Sequence, residues 1–147
     1  MSDLKLEMGD IGFDLQIDND QFVFVDGFDT NISVSLFTDS RASASDIPKP
    51  LFRRGWMLNQ LGVDREFEIG GLLWLFDQNR LTTQTRNNIV DAANKSLQWL
   101  LDRNIASAID IEGTIIPKRG IALTIEITYT NGVTESQYIE LWEVTGA

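Results

Sequence analysis

QTRNNIVDAANKSLQWLLDRNIASAIDIEGTIIPKRGIALTIEITY, Gln84 to Tyr129, changes its hydrophobic period part-way along. In its first half Ile89, Ala93, Leu97, Leu100 and Leu101 recur at helical spacing, while Arg86, Asn88, Asp91, Lys95 and Asp102 fall largely off that stripe. This predicts a core helix over Gln84 to Arg103, capped by Thr82 or Thr83 and closed by Arg103-Asn104, a cation followed by a residue tolerant of left-handed geometry. Beyond it the period falls to two. Ala106 to Ile111 reads as a strand, and Ile121, Leu123, Ile125, Ile127 and Tyr129 alternate with Ala122, Thr124, Glu126 and Thr128 as the cleanest strand pattern in the chain. Thr130-Asn131-Gly132 offers the positive backbone angles of a tight turn, and Ser136 to Val144 returns as a third strand.

Towards the N-terminus, Leu4 to Gly12 is mixed, with Gly9 and Gly12 breaking any long element. Phe13 to Ile17 alternates, Asp18-Asn19-Asp20 has turn chemistry, and Gln21 to Asp26 returns, which predicts a β-hairpin. Ile32, Leu36 and Phe37 favour a short helix beginning at Asp29 or Thr30, with a strand as the competing reading because Ile32 and Val34 are β-branched. The fold class is therefore α+β: an N-terminal β-hairpin, short helices around an Arg-rich loop, one long core helix and a C-terminal antiparallel sheet. A single domain over residues 1–147 is expected, since 43% hydrophobic content can fill one core at this length.

The Arg-rich stretch runs from Arg41 to Arg80, and Asp39 to Phe52 reads as loop by composition. The stretch holds Arg41, Arg53, Arg54, Arg65 and Arg80, with Pro48 and Pro50 barring regular hydrogen bonding and with Trp56 and Trp74 inside it. Phe52 and Trp56 argue against a loose connector, because large aromatic side chains usually pack somewhere. Two readings of the arginines stand side by side: a docking surface, or intrachain salt bridges in an acidic protein. Glu68 to Phe76 suggests a short helix entered through Gly70-Gly71, or a buried strand.

Composition excludes whole classes of chemistry. With no cysteine and no histidine, thiolate catalysis, disulfides, Ser-His-Asp triads and His- or Cys-based metal sites are ruled out. A formal charge of -10 argues against a nucleic-acid face. No apolar run reaches bilayer-spanning length and the N-terminus lacks a signal pattern, so no membrane role and cytosolic maturation are expected. Asp64, Glu66 and Glu68 could in principle act as acid and base, but their alternation fits a solvated edge better. Asp18-Asn19-Asp20 lacks the remainder of a calcium loop, and Gly70-Gly71 lacks the Lys-Ser/Thr of a phosphate loop. Trp74 and Trp99 read as core anchors in preference to ligand-stacking platforms. No catalytic, cofactor or metal residue is expected.

Four segments, LFTDSRA (Leu36 to Ala42), RRGWM (Arg53 to Met57), GGLLWLF (Gly70 to Phe76) and SLQWLLDRNIA (Ser96 to Ala106), together resemble the Mu-like phage baseplate protein family. More distantly, the chain resembles the small wedge subunit, or sheath initiator, of contractile tails. The resemblance spans roughly Asp14 to Trp142. It implies a non-enzymatic α+β wedge subunit in the virion tail, assembled in the host cytoplasm. Larger wedge proteins and sheath subunits would be its partners, with central hub or tube-initiator proteins as further neighbours. An acidic-Pro-Arg or Gly-Glu-Arg element of the wider wedge family contacts neighbouring subunits, and the matching place here is Thr38-Asp39-Ser40-Arg41. Asp39, Arg41, Arg53, Arg54 and Trp56 are thus the implied partner-binding residues. The resemblance also implies that the C-terminal strands template sheath growth by β-strand addition. A cell-wall hydrolase and a transient tail-assembly chaperone are the competing readings.

Overall fold

Helix α2 (Thr83–Asp102) lies against one face of a three-stranded antiparallel sheet in the order β7 (Ala106–Ile116), β8 (Gly120–Tyr129), β9 (Thr134–Glu140). The computed structural model describes residues 2–9, 12–26, 29–56, 59, 70–77 and 79–141. Thr82 caps α2 as expected, its side chain accepting the Thr85 N–H at 3.1 Å. The stripe is buried at Ile89, Ala93, Leu97 and Leu100, and it widens through Thr85, Ala92 and Ser96. It shares one core with Leu123, Ile125, Ile127 and Tyr129 of β8, whose alternate residue Glu126 is exposed. Each fully buried Leu or Ile here contributes about 2 kcal/mol of apolar transfer free energy. Asn104 takes a left-handed φ of 54° and ends the helix.

Strand β7 runs five residues beyond the expected Ile111, to Ile116. Gly113, which interrupts the alternation, sits where α2 crosses closest: a Cβ there would lie 2.8 Å from Val90 Cγ2 and 2.9 Å from Arg86 Cγ. The strand continues because its glycine makes room for the helix. A turn with Pro117 second and Lys118 third (φ 63°) leads into β8, closed by Arg119 N–H to Ile116 C=O at 3.0 Å. At the β8–β9 connection only Gly132 has positive φ, 86°, while the Asn131 side chain accepts the Val133 N–H at 3.0 Å. Asn131 therefore works through its side chain and not through its backbone angle. Strand β9 starts at Thr134, two residues before the expected Ser136; its expected end at Val144, and Trp142 with it, lie outside the described residues.

At the N-terminus a hairpin forms at the expected turn, but Phe13 to Leu15 and Phe24 to Asp26, expected to pair with each other, pair with strands nearer the N-terminus. β4 (Ile17–Asp18) pairs with β5 (Gln21–Phe22) across Asn19 and Asp20, whose φ values of 49° and 61° make a type I′ turn. The mixed stretch Leu4 to Gly12 also forms strands. β1 (Ser2–Leu4) pairs with β6 (Phe24–Asp26), and β2 (Leu6–Gly9) pairs with β3 (Gly12–Leu15). The three ribbons meet at Lys5, Gln16 and Val23, joined by a cycle of backbone hydrogen bonds of 2.8–3.0 Å. Thr30 Oγ1 donates to Leu4 C=O at 2.6 Å and ties this unit to α1 (Asp29–Phe37). The expected short helix is α1, and it buries Ile32 and Leu36 in the core. Leu73–Phe76 is a single 3₁₀ turn, shorter than the helix expected over Glu68 to Phe76; Glu68 lies outside the described residues.

Candidate docking surface

The Arg-rich loop leaves α1 at Thr38 and is at once fastened to Gly71. Gly71 N–H donates to Thr38 C=O and Ser40 N–H donates to Gly71 C=O, both at 2.9 Å. This contact requires two small residues. A Cβ on Gly70, whose φ is 107°, would run into the Thr38 carbonyl, and one on Gly71 would run into Ser96 Oγ of α2. Gly70-Gly71 is thus a packing device that lets loop, α1 and α2 converge.

Around Pro48 and Pro50 the guanidinium groups bond main-chain carbonyls of the loop, and the Pro50 carbonyl also accepts the Arg53 N–H at 3.3 Å. Arg53 donates from Nε to Ile47 C=O at 2.7 Å and from Nη2 to Pro48 C=O at 2.9 Å. Arg41 donates to Arg54 C=O at 3.2 Å and to Pro50 C=O at 3.3 Å. The fork geometry of arginine, with several donors in one plane, suits this bridging. Arg54 behaves differently: its Nη1 reaches Asp39 Oδ2 at 3.2 Å, and its guanidinium carbon lies 4.7 Å from the centroid of the Trp74 ring. Trp74 in turn donates Nε1–H to Ser40 C=O at 3.0 Å. Asp77 neighbours this pair; burial raises its carboxyl above the usual range, against the pull of Arg54.

Of the two readings of the arginines, the salt bridge describes Arg54 with Asp39. Arg41 and Arg53 instead bond main-chain carbonyls of their own loop, Arg41 from an exposed position and Arg53 from a partly buried one. Trp74 is only partly buried and stacks under its own chain's Arg54, whereas Trp99 packs against the core and donates to Ser35 Oγ at 3.0 Å. Phe52 and Trp56, the aromatic residues expected to find cover, both remain exposed. Trp56 is 39% exposed and Phe52 58%, and Leu51 between Pro50 and Phe52 is 87% exposed. Leu51 was not singled out by sequence; an apolar residue flanked by proline in a loop carries no periodic signal.

A second surface follows β9. Leu141 N–H donates to Ile121 C=O and Tyr129 N–H to Val133 C=O, which fixes the odd-numbered residues of this stretch as those bonded to β8. Thr134, Ser136, Tyr138 and Glu140 therefore direct their N–H groups to the outer edge, where no strand pairs among the described residues. A groove of about 480 Å³ runs beside this edge, between Gln137–Glu140 on one side and Lys5, Leu6, Asp29 and Thr30 on the other.

The family model for the phage protein GP46 matches residues 28–134, from just before α1, through the loop, α2, β7 and β8, to the first residue of β9. The chain belongs to this family of Mu-like phage baseplate proteins. It is 30% identical over 134 residues to the baseplate protein gp46 of Escherichia phage Mu, covering 90% of each chain. It is also 25% identical over 137 residues to the Mu-like prophage FluMu protein gp46 of Haemophilus influenzae, covering 93% of this chain and 94% of the relative. All five residues Asp39, Arg41, Arg53, Arg54 and Trp56 fall inside the span that the GP46 model matches. Among the described residues of this GP46 member no group of three metal-ligating side chains comes together, and no helix is long and apolar enough to cross a membrane. Asp18 leads into a hairpin turn and Asp20 lies within it, and Asp64, Glu66 and Glu68 lie outside the described residues.

Proposed function

We propose that this chain is a structural wedge subunit of a contractile phage tail baseplate, a single unit over residues 1–147 that bridges larger wedge proteins and the first sheath ring. Its membership of the Mu-like baseplate family carries the reading. The loop bearing Asp39, Arg41, Arg53, Arg54 and Trp56 is the contact to the larger wedge proteins. The outer edge of β9 takes an extended segment of a sheath subunit by main-chain pairing, and the alongside groove gives that segment room. Central hub or tube-initiator proteins are further neighbours. The subunit acts by assembly in the host cytoplasm and stays in the virion tail, with no catalytic step, no nucleic acid and no membrane contact.

Quantitative mass spectrometry of purified tails from the source phage or element, before and after the baseplate is stripped, tests this reading. The expected result is a fixed, small copy number that leaves with the baseplate. Absence of the chain from finished tails leaves the chaperone and hydrolase readings, and the wedge role fails.

A further inference from the structure

The loop contact proposed above needs a surface that gains free energy on being covered. Arg41 and Arg53 are poor candidates for that surface, because their donors already serve Arg54, Pro50, Ile47 and Pro48 carbonyls. Pulling them onto a partner would give up these bonds, which shape the loop. The groups that water leaves worst served are Leu51, Phe52 and Trp56, at 87%, 58% and 39% exposure within six residues of chain. Their presentation is built in. Pro50 opens a 3₁₀ turn that carries Leu51 and Phe52, Arg53 and Arg41 clamp both sides of that turn, and Ala42 N–H to Arg53 C=O at 2.9 Å ties it to the start of the loop. Arg54 and Gly55 follow with positive φ of 48° and 116°, and Gly55 packs so closely on Arg41 that a Cβ would lie 2.9 Å from Arg41 Cβ. A knob held by this many contacts loses little conformational freedom when it docks.

The charge around the knob describes what it fits. Lys49 Nζ lies 6.0 Å from the Phe52 ring centroid, and Arg54, half-exposed and paired with Asp39, follows in the same segment. Residues 47–56, which carry the knob, hold Lys49, Arg53 and Arg54 and no carboxylate, on a chain whose formal charge is -10. The complement is an apolar cleft with carboxylates at its rim. A second copy is disfavoured by the mutual repulsion of two such acidic chains, and an anionic lipid surface by the same net charge.

We propose that Leu51, Phe52 and Trp56 form the binding hot spot of the loop, seated in an acid-rimmed apolar cleft of another protein of the particle, and that Arg41 and Arg53 are positioning residues that hold this knob in shape. The inference rests on the wedge reading. Its partner chemistry is an apolar cleft, not an anionic peptide that pairs with the arginines.

Tails carrying the wild-type chain are compared with tails carrying the double variant Leu51→Asp, Phe52→Asp, with the milder Leu51→Ser, Phe52→Ser as a second test. Each purified variant is first checked for a wild-type circular dichroism spectrum and melting temperature, as expected for exposed positions. Tails are then washed at an ionic strength of about 1 M, where the Debye length is ~3 Å. The expected result is a wild-type chain that survives the wash and a double variant depleted about tenfold or more, in line with loss of an apolar hot spot. Equal retention of both chains overturns this inference and leaves the wedge reading standing. Release of the wild type by salt alone points to the arginine contact instead and also overturns it. Absence of the wild type from tails overturns the wedge reading itself, and the inference with it. Sedimentation of the purified chain as a dimer that the variant dissolves, or its flotation with phosphatidylserine vesicles, would give the knob to a second copy or to lipid.

Discussion

The guanidinium of Arg54 lies over the indole ring of Trp74, 4.7 Å from its centroid, while the same group reaches Asp39 at 3.2 Å. One side chain thus links both arms of the loop, and it does so from a left-handed backbone conformation, φ 48°, that costs roughly 1 kcal/mol for a residue with a Cβ.

Arg54→Ala removes a half-exposed ion pair and a cation–π contact together, so the expected loss of stability is about 1 kcal/mol, with solvent screening keeping the ion-pair share small. Arg54→Lys recovers only part, since an ammonium has no planar face to lay on Trp74. Urea denaturation of the three proteins checks the order; a lysine variant as stable as the wild type would show that stacking contributes nothing.

Gly71→Ala drives a methyl group into Ser96 Oγ and is expected to cost on the order of 1–3 kcal/mol by overpacking. Ser96 Oγ otherwise donates only to Ala92 C=O within α2, at 2.9 Å. Ser96→Ala should therefore be mild alone and should recover part of the Gly71→Ala loss. Additive losses in the double-mutant cycle would mean that the clash is relieved elsewhere.

Proline at Ser136 removes an N–H that points to the outer edge of β9, so the sheet should keep its ladder to β8 while losing a donor for an added strand. Gln137→Pro, one residue on, removes a ladder bond and should destabilise the fold. Sheath growth on baseplates carrying Ser136→Pro, scored by electron microscopy, is expected to stop; normal sheaths would exclude β9 as the template.

Two groups set opposite pH responses. The Ser43 hydroxyl, then the Ser43 amide, hold the Asp46 carboxyl below its ordinary value of 3.8. A lowered folded-state value gives a contribution that is full above the unfolded pKa and lost as pH falls through the folded one. Nuclear magnetic resonance titration should place Asp46 below 3.8 and show it rising in Ser43→Ala. Burial first, then the hydrogen bond to Glu135 at 3.0 Å, raise the Tyr129 phenol above 10.0. Its contribution is full below the unfolded value and is lost as pH rises through the folded one. Alkaline absorbance titration should find the Tyr129 midpoint lowered in Glu135→Gln, which keeps an acceptor but removes the charge.

What local chemistry writes into the chain was legible without coordinates. The Thr82 cap, the α2 stripe, the alternation of β8 and the Asn19-Asp20 turn each depend on residues close in sequence, so period and capping place them. The motifs from Leu36 to Ala106 likewise place the chain in its family. Pairing between distant segments was not legible. Ser2–Leu4 is a strand because it meets Phe24–Asp26, and β7 passes Gly113 because Val90 and Arg86 lie across it. The loop shows the division most sharply. Sequence marks its arginines and prolines, but which carbonyls the guanidinium groups take depends on how the loop folds back on itself. That closure ties Arg41 and Arg53 to carbonyls of their own loop and leaves Leu51 and Phe52 in water.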